Sequence, residues 1–252
     1  MLQADHISKR LGGIAALSHC SLVIGKGLVT GIIGPNGAGK STLFNVLGGL
    51  MAPDQGRVLL EGRDVSGLPP HRLAALGLVR TFQIARDLAE LTVLENLLLA
   101  RPSQTGESLL GALFRPARVR QEEREALQKA SALLGRFGLL QHADAPARSL
   151  SGGQKKLLEL ARALMLEPKV ILLDEPAAGV SPVMVRGLAR IIGELRSEGL
   201  TFAIIEHDMD LIAELCDHVY VMAEGTPLTA GRFAEVTADR RVVQAYLGGM
   251  AP

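Results

Sequence analysis

Early in the chain, hydrophobic and polar positions follow a strand-like rhythm. Residues 2–8, 16–24, 28–33 and 57–61 are short runs, apolar or alternating, separated by Gly-containing turns. From Leu68 the period becomes helical, and Pro69 and Pro70 open a short helix that Gly77 ends. Thr92 and Glu95 have the spacing of a capping box ahead of a helical stretch at 96–100. Residues 102–116 are irregular, with Gly, Pro and Ser, and read as a surface connection. Beyond them Leu127, Ala130, Leu134 and Phe137 recur on one helical face. Residues 84–150 therefore read as a helical insertion between two parts of an α/β core.

The core resumes with two apolar runs that end in polar residues. Residues 170–173 precede Asp174 and Glu175, and residues 201–205 precede Glu206, His207 and Asp208. Between them Val185, Leu188, Ile192 and Leu195 mark an amphipathic crossover helix stopped by Gly199. Strand, helix and parallel strand follow, with functional residues expected at the carboxyl ends of the strands. Residues 217–225 read as a further strand, followed by a hairpin and a last helix at 240–247. There is no internal repeat or low-complexity tract.

Composition narrows the classes. Hydrophobic residues make up 48% of the 252 positions and charged residues 21%, as in a folded globular protein. A net charge of +1 removes the electrostatic case for a nucleic-acid binder acting through a basic surface. Cys20 and Cys216 stand far apart with no CxxC spacing, so a reducing cytosol is the natural home. The N-terminus has no apolar signal region, and no apolar run approaches the roughly 18 residues that cross a bilayer. The chain is expected not to span a membrane, but it could sit beside proteins that do.

The chemistry begins after residues 28–33, at Gly34, Pro35, Asn36, Gly37, Ala38, Gly39, Lys40, Ser41 and Thr42. This stretch fits G-x-x-x-x-G-K-[ST] between a strand and a helix, where the pattern has physical meaning. Its glycines let backbone N–H groups turn inward to cradle polyphosphate oxygens. Lys40 can place its ammonium on the outer phosphates, Ser41 can offer a hydroxyl to Mg²⁺, and the helix opening adds a positive dipole end. By composition alone the pattern arises on the order of once in a hundred chains of this length.

Hydrolysis needs a second metal ligand and a group that orients water. Asp174 would hold Mg²⁺, directly or through water, and Glu175 would act as general base. Alone, Asp-Glu-Pro is no more than a turn ending a buried strand; beside a phosphate loop it is a hydrolytic pair. Ser151 and Gln154 form a capping box for a helix reaching Met165. The same Gly-rich helix start, with Gly152 and Gly153, is a second anion site. Two phosphate sites with one nucleotide loop suggest that they serve different subunits.

The phosphate loop, Gln83 after Thr81 and Phe82, Leu150 to Gln154, Ile171 to Pro176 and His207 occur in the order typical of ABC-transporter ATP-binding subunits. The resemblance covers essentially the whole chain. It implies a P-loop NTPase fold of the ABC type, with an antiparallel β subdomain and a helical subdomain inserted in the α/β core. The single nucleotide-binding domain would comprise a core at about 1–83 and 151–216, the helical part at about 84–150, and C-terminal strands and helix at 217–252.

The resemblance further implies a head-to-tail dimer that encloses two ATP molecules. Each would be held by residues 37–42 of one subunit and by Ser151 and Gly153 of the other. Gln83 would contact Mg²⁺ and the attacking water, and its loop would report to the transmembrane partner. His207 would bind the γ-phosphate and help hold Glu175. Residues 67–72, 80–83, 91–96, 174–179, 205–209 and 245–248 look like the branched-chain amino-acid uptake class, and specifically the longer of its two ATPase subunits. In that class two ATP-binding subunits pair beneath two permeases at the cytoplasmic face of the cell membrane, fed by an external solute-binding protein. Other ABC systems, for another solute or for lipid or lipopolysaccharide extraction, stay open, as does a soluble non-transport ABC protein.

Two positions depart from the pattern. Leu11 stands where most members stack an aromatic ring on adenine, which forgoes about 1–3 kcal/mol of stacking. Ser181 stands before Pro182 where many members have Asp; it keeps the helix N-cap role but removes a carboxylate from the expected subunit interface.

Overall fold

The computed structural model describes residues 1–81, 88–102 and 116–248. Gln83, Phe82, Arg115 and most of the 102–116 connection therefore lie outside the described residues. The chain divides into two compact units, Met1–Arg80 with Pro168–Pro252, and Thr81–Glu167.

The first unit carries two sheets. β1 (Leu2–Leu11), β2 (Ile14–Ile24), β4 (Gln55–Leu60) and β5 (Arg63–Asp64) form an antiparallel sheet in the order β2-β1-β4-β5. β3 (Val29–Ile33), β6 (Leu78–Arg80), β7 (Val170–Asp174), β8 (Thr201–Ile205), β9 (His218–Ala223) and β10 (Thr226–Gly231) form the second, ordered β10-β9-β3-β8-β7-β6. β9, β3, β8, β7 and β6 are parallel neighbours, and β10 closes one edge as an antiparallel hairpin with β9. Every residue of β3 and β8 is buried. This is why both read as unbroken apolar runs instead of alternating ones.

α1 (Lys40–Leu47) follows β3 directly. Leu43, Phe44 and Leu47 are fully buried in one core shared with Leu2, Ile7 and Leu22 of the antiparallel sheet and Ile32, Leu172 and Ala203 of the parallel sheet. Each such side chain contributes about 1.5–3 kcal/mol by leaving water, which anchors the helix that ends the phosphate loop. A second cluster joins Ile33, Val219 and Val221 to Ile212, Val236 and Val242. These last three belong to α7 (Met209–Leu215), α8 (Phe233–Thr237) and α9 (Arg240–Gly248). The short α2 (Pro70–Ala75) starts at Pro70, as its sequence requires.

The crossover helix is α6 (Pro182–Ser197), which buries Leu188, Ala189, Ile191, Ile192 and Leu195, whereas Val185 is only half-buried. It ends with Gly199 N–H on Arg196 O and Leu200 N–H on Leu195 O, a Schellman closure around the left-handed Gly199. Ser181 occupies the N-cap, but its hydroxyl makes no capping hydrogen bond. Pro182 sets the first turn through its fixed φ, and the expected side-chain cap is corrected accordingly.

The second unit is helical: α3 (Val93–Leu98), α4 (Pro116–Arg136) and α5 (Gly152–Met165), with 3₁₀ turns at Leu140–His142 and Ala147–Ser149. Thr92 and Glu95 form the expected reciprocal capping box. Of the stripe read from sequence, Ala130, Leu134 and Phe137 are buried, and only its first member differs. Ala126, Ala130 and Leu134 are buried at i, i+4, i+8, while Leu127 is 45% exposed. Once the row follows 126-130-134, position 127 lies about 100° around the helix from Ala126. Among the described residues no helix is long and apolar enough to cross a membrane.

Candidate functional site

The carboxyl ends of β3, β6, β7 and β8 converge because register and strand order make them neighbours. Ile32 pairs with Ile205, Asp174 with Ile205 and Arg80 with Leu172. Open parallel sheets bind ligands at such strand ends.

β3 leads into Gly34, whose φ is +146°; a Cβ there would lie 2.2 Å from Met222 O. At Gly39, with φ +95°, a Cβ would stand 2.5 Å from Ala16 O. Only glycine fits either place. Between them Ala38 N–H donates to Pro35 O, and Ala38 O accepts from Gly225 N–H at 3.1 Å, tying the loop to the β9–β10 turn. α1 has no side-chain N-cap, so its first N–H groups remain available to an anion.

Lys40 is 6% exposed, and its Nζ donates to Gly34 O at 2.7 Å and Pro35 O at 2.9 Å. Burial lowers the Lys40 pKa, while the charges of Glu175 and Asp174 oppose that shift. Asn36, Gly37 and Ser41 are exposed and Thr42 is half-buried.

Asp174 closes β7 and accepts from Arg80 Nη2 at 2.7 Å through Oδ2. Arg80 Nη1 reaches Asn45 Oδ1 at 2.6 Å, and its Cζ lies 6.0 Å from the Phe44 ring centroid. This fork joins the end of β6, α1 and Asp174. Glu175 follows with φ +47°, and its N–H donates to Ile205 O at 2.9 Å. Glu175 Oε1 lies 3.0 Å from His207 Nε2. Glu206, 3% exposed, accepts from Ala177 N–H at 2.6 Å and from His207 N–H at 3.0 Å.

Lys40, Asp174, Glu175 and His207 are thus brought together at one sheet end of the first unit. Ser151, Gly152, Gly153 and Gln154 open α5 in the second unit. There Ser151 Oγ accepts Gln154 N–H at 3.3 Å, Gln154 Oε1 accepts Ser151 N–H at 2.9 Å, and Ser151 and Gly152 are exposed. Gln154 Nε2 also lies 3.1 Å from His142 Nε2. Leu11, 39% exposed, ends β1 opposite Ile14 across a Gly12–Gly13 turn. Arg80, Asn45 and Glu206 were not singled out from sequence as site residues. The available signal was a charged residue directly at the end of an apolar strand, at Arg80 and at Glu206.

The donor chemistry fits a nucleotide with Mg²⁺. The loop has no room for a Cβ at Gly34 or Gly39, a buried ammonium lies against its carbonyls, and Ser41 and Asp174 offer hard oxygens. Among the described residues no group of three or more His, Cys, Asp or Glu side chains could hold a metal by itself. A bound Mg²⁺ would therefore draw ligands from phosphate and water as well.

The ABC transporter family model matches residues 17–178. The "probable branched-chain amino acid transport ATP-binding protein LivG" of Archaeoglobus fulgidus is 42% identical over 249 residues, covering 98% of this chain and 95% of that one. The protein of the same description from Methanocaldococcus jannaschii is 44% identical over 252 residues, covering 98% and 97%. Among solved structures, the ADP conformation of MJ1267, an ATP-binding cassette of an ABC transporter, superposes with a TM-score of 0.85 at 42% identity, covering 98% of each chain.

Proposed function

Because the chain belongs to the ABC transporter family, we propose that it is the ATP-binding, ATP-hydrolysing subunit of an importer of branched-chain or other hydrophobic amino acids. The solute class draws on relatives named for branched-chain amino acid transport. The chemistry rests on one observation: Glu175 and His207 stand 3.0 Å apart at the sheet end that also carries the buried Lys40 ammonium.

In this reading the backbone of residues 34–42 wraps the phosphates, and Lys40 exchanges the Gly34 and Pro35 carbonyls for phosphate oxygens. Ser41 and Asp174, with Gln83 as the family resemblance implies, would hold Mg²⁺, which would neutralise charge on the transferring phosphoryl group. Glu175 takes a proton from the attacking water as ATP and water become ADP and phosphate. His207 Nε2 holds the Glu175 carboxylate and can turn to the γ-phosphate. Leu11 offers the adenine an aliphatic surface.

The start of α5, where Ser151 and Gly152 are exposed, Gln154 half-buried and Gly153 buried, completes the nucleotide site of a second ATP-binding subunit, a paralogue or another copy, in a head-to-tail dimer. ATP favours the closed dimer, and that differential affinity drives the two permeases between orientations. In this reading residues 84–150 are the helical subdomain, and Gln83, outside the described residues, belongs to the loop that would report to the permeases. The protein works from the cytoplasmic face of the cell membrane, and an external solute-binding protein delivers the amino acid.

The test is leucine uptake into vesicles holding the assembled transporter, with ATP on the side of this subunit. Uptake should require ATP and stop with Glu175→Gln or Ser151→Arg. Near-parental ATP turnover by Glu175→Gln, or no uptake of leucine, isoleucine or valine by an assembly that hydrolyses ATP, would overturn the reading.

A further inference from the structure

We infer that Glu206 is a positioning residue for hydrolysis, one that clamps the β7 and β8 exits and thereby sets the Glu175–His207 pair; this rests on the functional reading above. β8 is buried throughout, and Glu206 follows it at 3% exposure. A carboxylate is costly to bury unless its oxygens are hydrogen-bonded. Here both are engaged, and the donors come from two different strand exits. Oε1 takes Ala177 N–H at 2.6 Å, and Oε2 takes His207 N–H at 3.0 Å.

Those donors flank the reacting pair. His207 N–H belongs to the histidine itself. Ala177 is the first residue after Glu175 with an N–H to give, because Pro176 has none. Glu175 sits at φ +47°, a backbone state that persists in a non-glycine residue only when its surroundings over-determine it. Three bonds do so. Glu175 N–H reaches Ile205 O, Ala178 N–H reaches Glu175 O, and Ala177 N–H reaches Glu206. Two of the three come from the end of β8, which also delivers His207. The 3.0 Å contact between His207 and Glu175 therefore depends on how firmly that one strand end grips the turn after β7.

Glutamine is a sharp probe of this role. It keeps the volume but presents one carbonyl and one NH₂, so either Ala177 N–H on one side, or His207 N–H with the longer Asp208 N–H on the other, would face another donor. The assay is ATP turnover in the assembled transporter, alongside ATP binding measured without Mg²⁺. Glu206→Gln is expected to lower kcat by about tenfold or more, since small misplacements of reacting groups can cost up to about a hundredfold. ATP affinity and KM should stay within about twofold, because Glu206 itself makes no phosphate contact and the loop of residues 34–42 that wraps the phosphates is untouched. In a His207→Ala background, adding Glu206→Gln should cause no further loss, as expected for residues acting as one unit.

A kcat within twofold of the parent overturns the inference. So does a fall in ATP affinity that matches the fall in turnover, or effects of the two substitutions that multiply. Should Glu206→Gln not assemble, Glu206→Asp, too short to span both donors, is read by the same criteria. Glu175→Gln, run alongside, separates the two questions: if it retains turnover, the functional reading fails; if it is inactive while Glu206→Gln is normal, only this inference fails.

Discussion

Replacing Arg80 by Met should loosen the floor of the site by an amount the structure allows to be worked out. The substitution removes a 2.7 Å bond to Asp174 Oδ2 and a 2.6 Å bond to Asn45 Oδ1. Hydrogen bonds to charged groups contribute about 1.5–3 kcal/mol each, and breaking a buried ion pair from one side costs about 3–5 kcal/mol. The Arg80 side chain is 9% exposed but that of Asp174 is 25% exposed, so water takes over part of the lost interaction. Met keeps an apolar stem beside Phe44 and Gly48, which limits the packing loss. The net expectation is about 2–3 kcal/mol, at or below the lower limit for a buried pair, because Asp174 stays partly solvated. Thermal unfolding of the chain should shift down by roughly 4–12 °C, given about 2–4 °C per kcal/mol at this size. Arg80→Lys, which offers a point charge in place of a fork and can reach only one acceptor, should lose about half as much. A midpoint for Arg80→Met within about 1 °C of the parent, an effect of less than ~0.5 kcal/mol, would refute the reasoning.

Three other outcomes follow from the geometry. Gly34→Ala forces a Cβ to within 2.2 Å of Met222 O at a left-handed φ, so it should cost at least about 2 kcal/mol. It should also abolish ATP binding, which a titration without Mg²⁺ would register. Burial pushes the Cys20 thiol up to about 12, and burial with the Asp217 charge does the same for Cys216. At pH 8 only about one thiol in ten thousand is then a thiolate, so iodoacetamide should spare both in the native chain and label both in urea. Asp239, held by the Arg241 side chain and backbone N–H at the start of α9, has its pKa lowered from 3.8 to about 2. Because its folded value lies below its unfolded one, its contribution is complete above pH 3.8 and lost as pH falls towards 2. Carboxyl NMR of Asp239 should show a midpoint well below that of an ordinary aspartate, and a midpoint near 3.8 would contradict the Arg241 contact.

Much of the site was legible because its signals are local. The 34–42 loop, the Thr92–Glu95 and Ser151–Gln154 boxes and the Gly199 stop depend on residues a few positions apart, and each keeps its expected local form. The strands at 170–173 and 201–205 were equally readable, since a strand buried on both faces has no polar positions to blur the run. The errors have physical reasons. Leu127 fits a helical stripe as well as Ala126 does, and only packing decides which row of an amphipathic helix turns inward. The Ser181 hydroxyl could cap a helix, but Pro182 already sets the entry geometry without it.

The amino-acid sequence by itself determined the parts: an anion loop between strand and helix, carboxylates and a histidine at strand ends, and a second helix start of the same chemical kind. It did so because each part is built from neighbours along the chain. The tertiary structure alone decided their partners, because the sheet order β10-β9-β3-β8-β7-β6 brings together strand ends far apart in sequence. Arg80 meets Asp174 across 94 positions, Glu206 meets Ala177 across 29, and His207 meets Glu175 across 32. The family resemblance implied the His207–Glu175 pair, but no periodicity or motif carries the other two; they arise from which strands share hydrogen bonds once the core has closed.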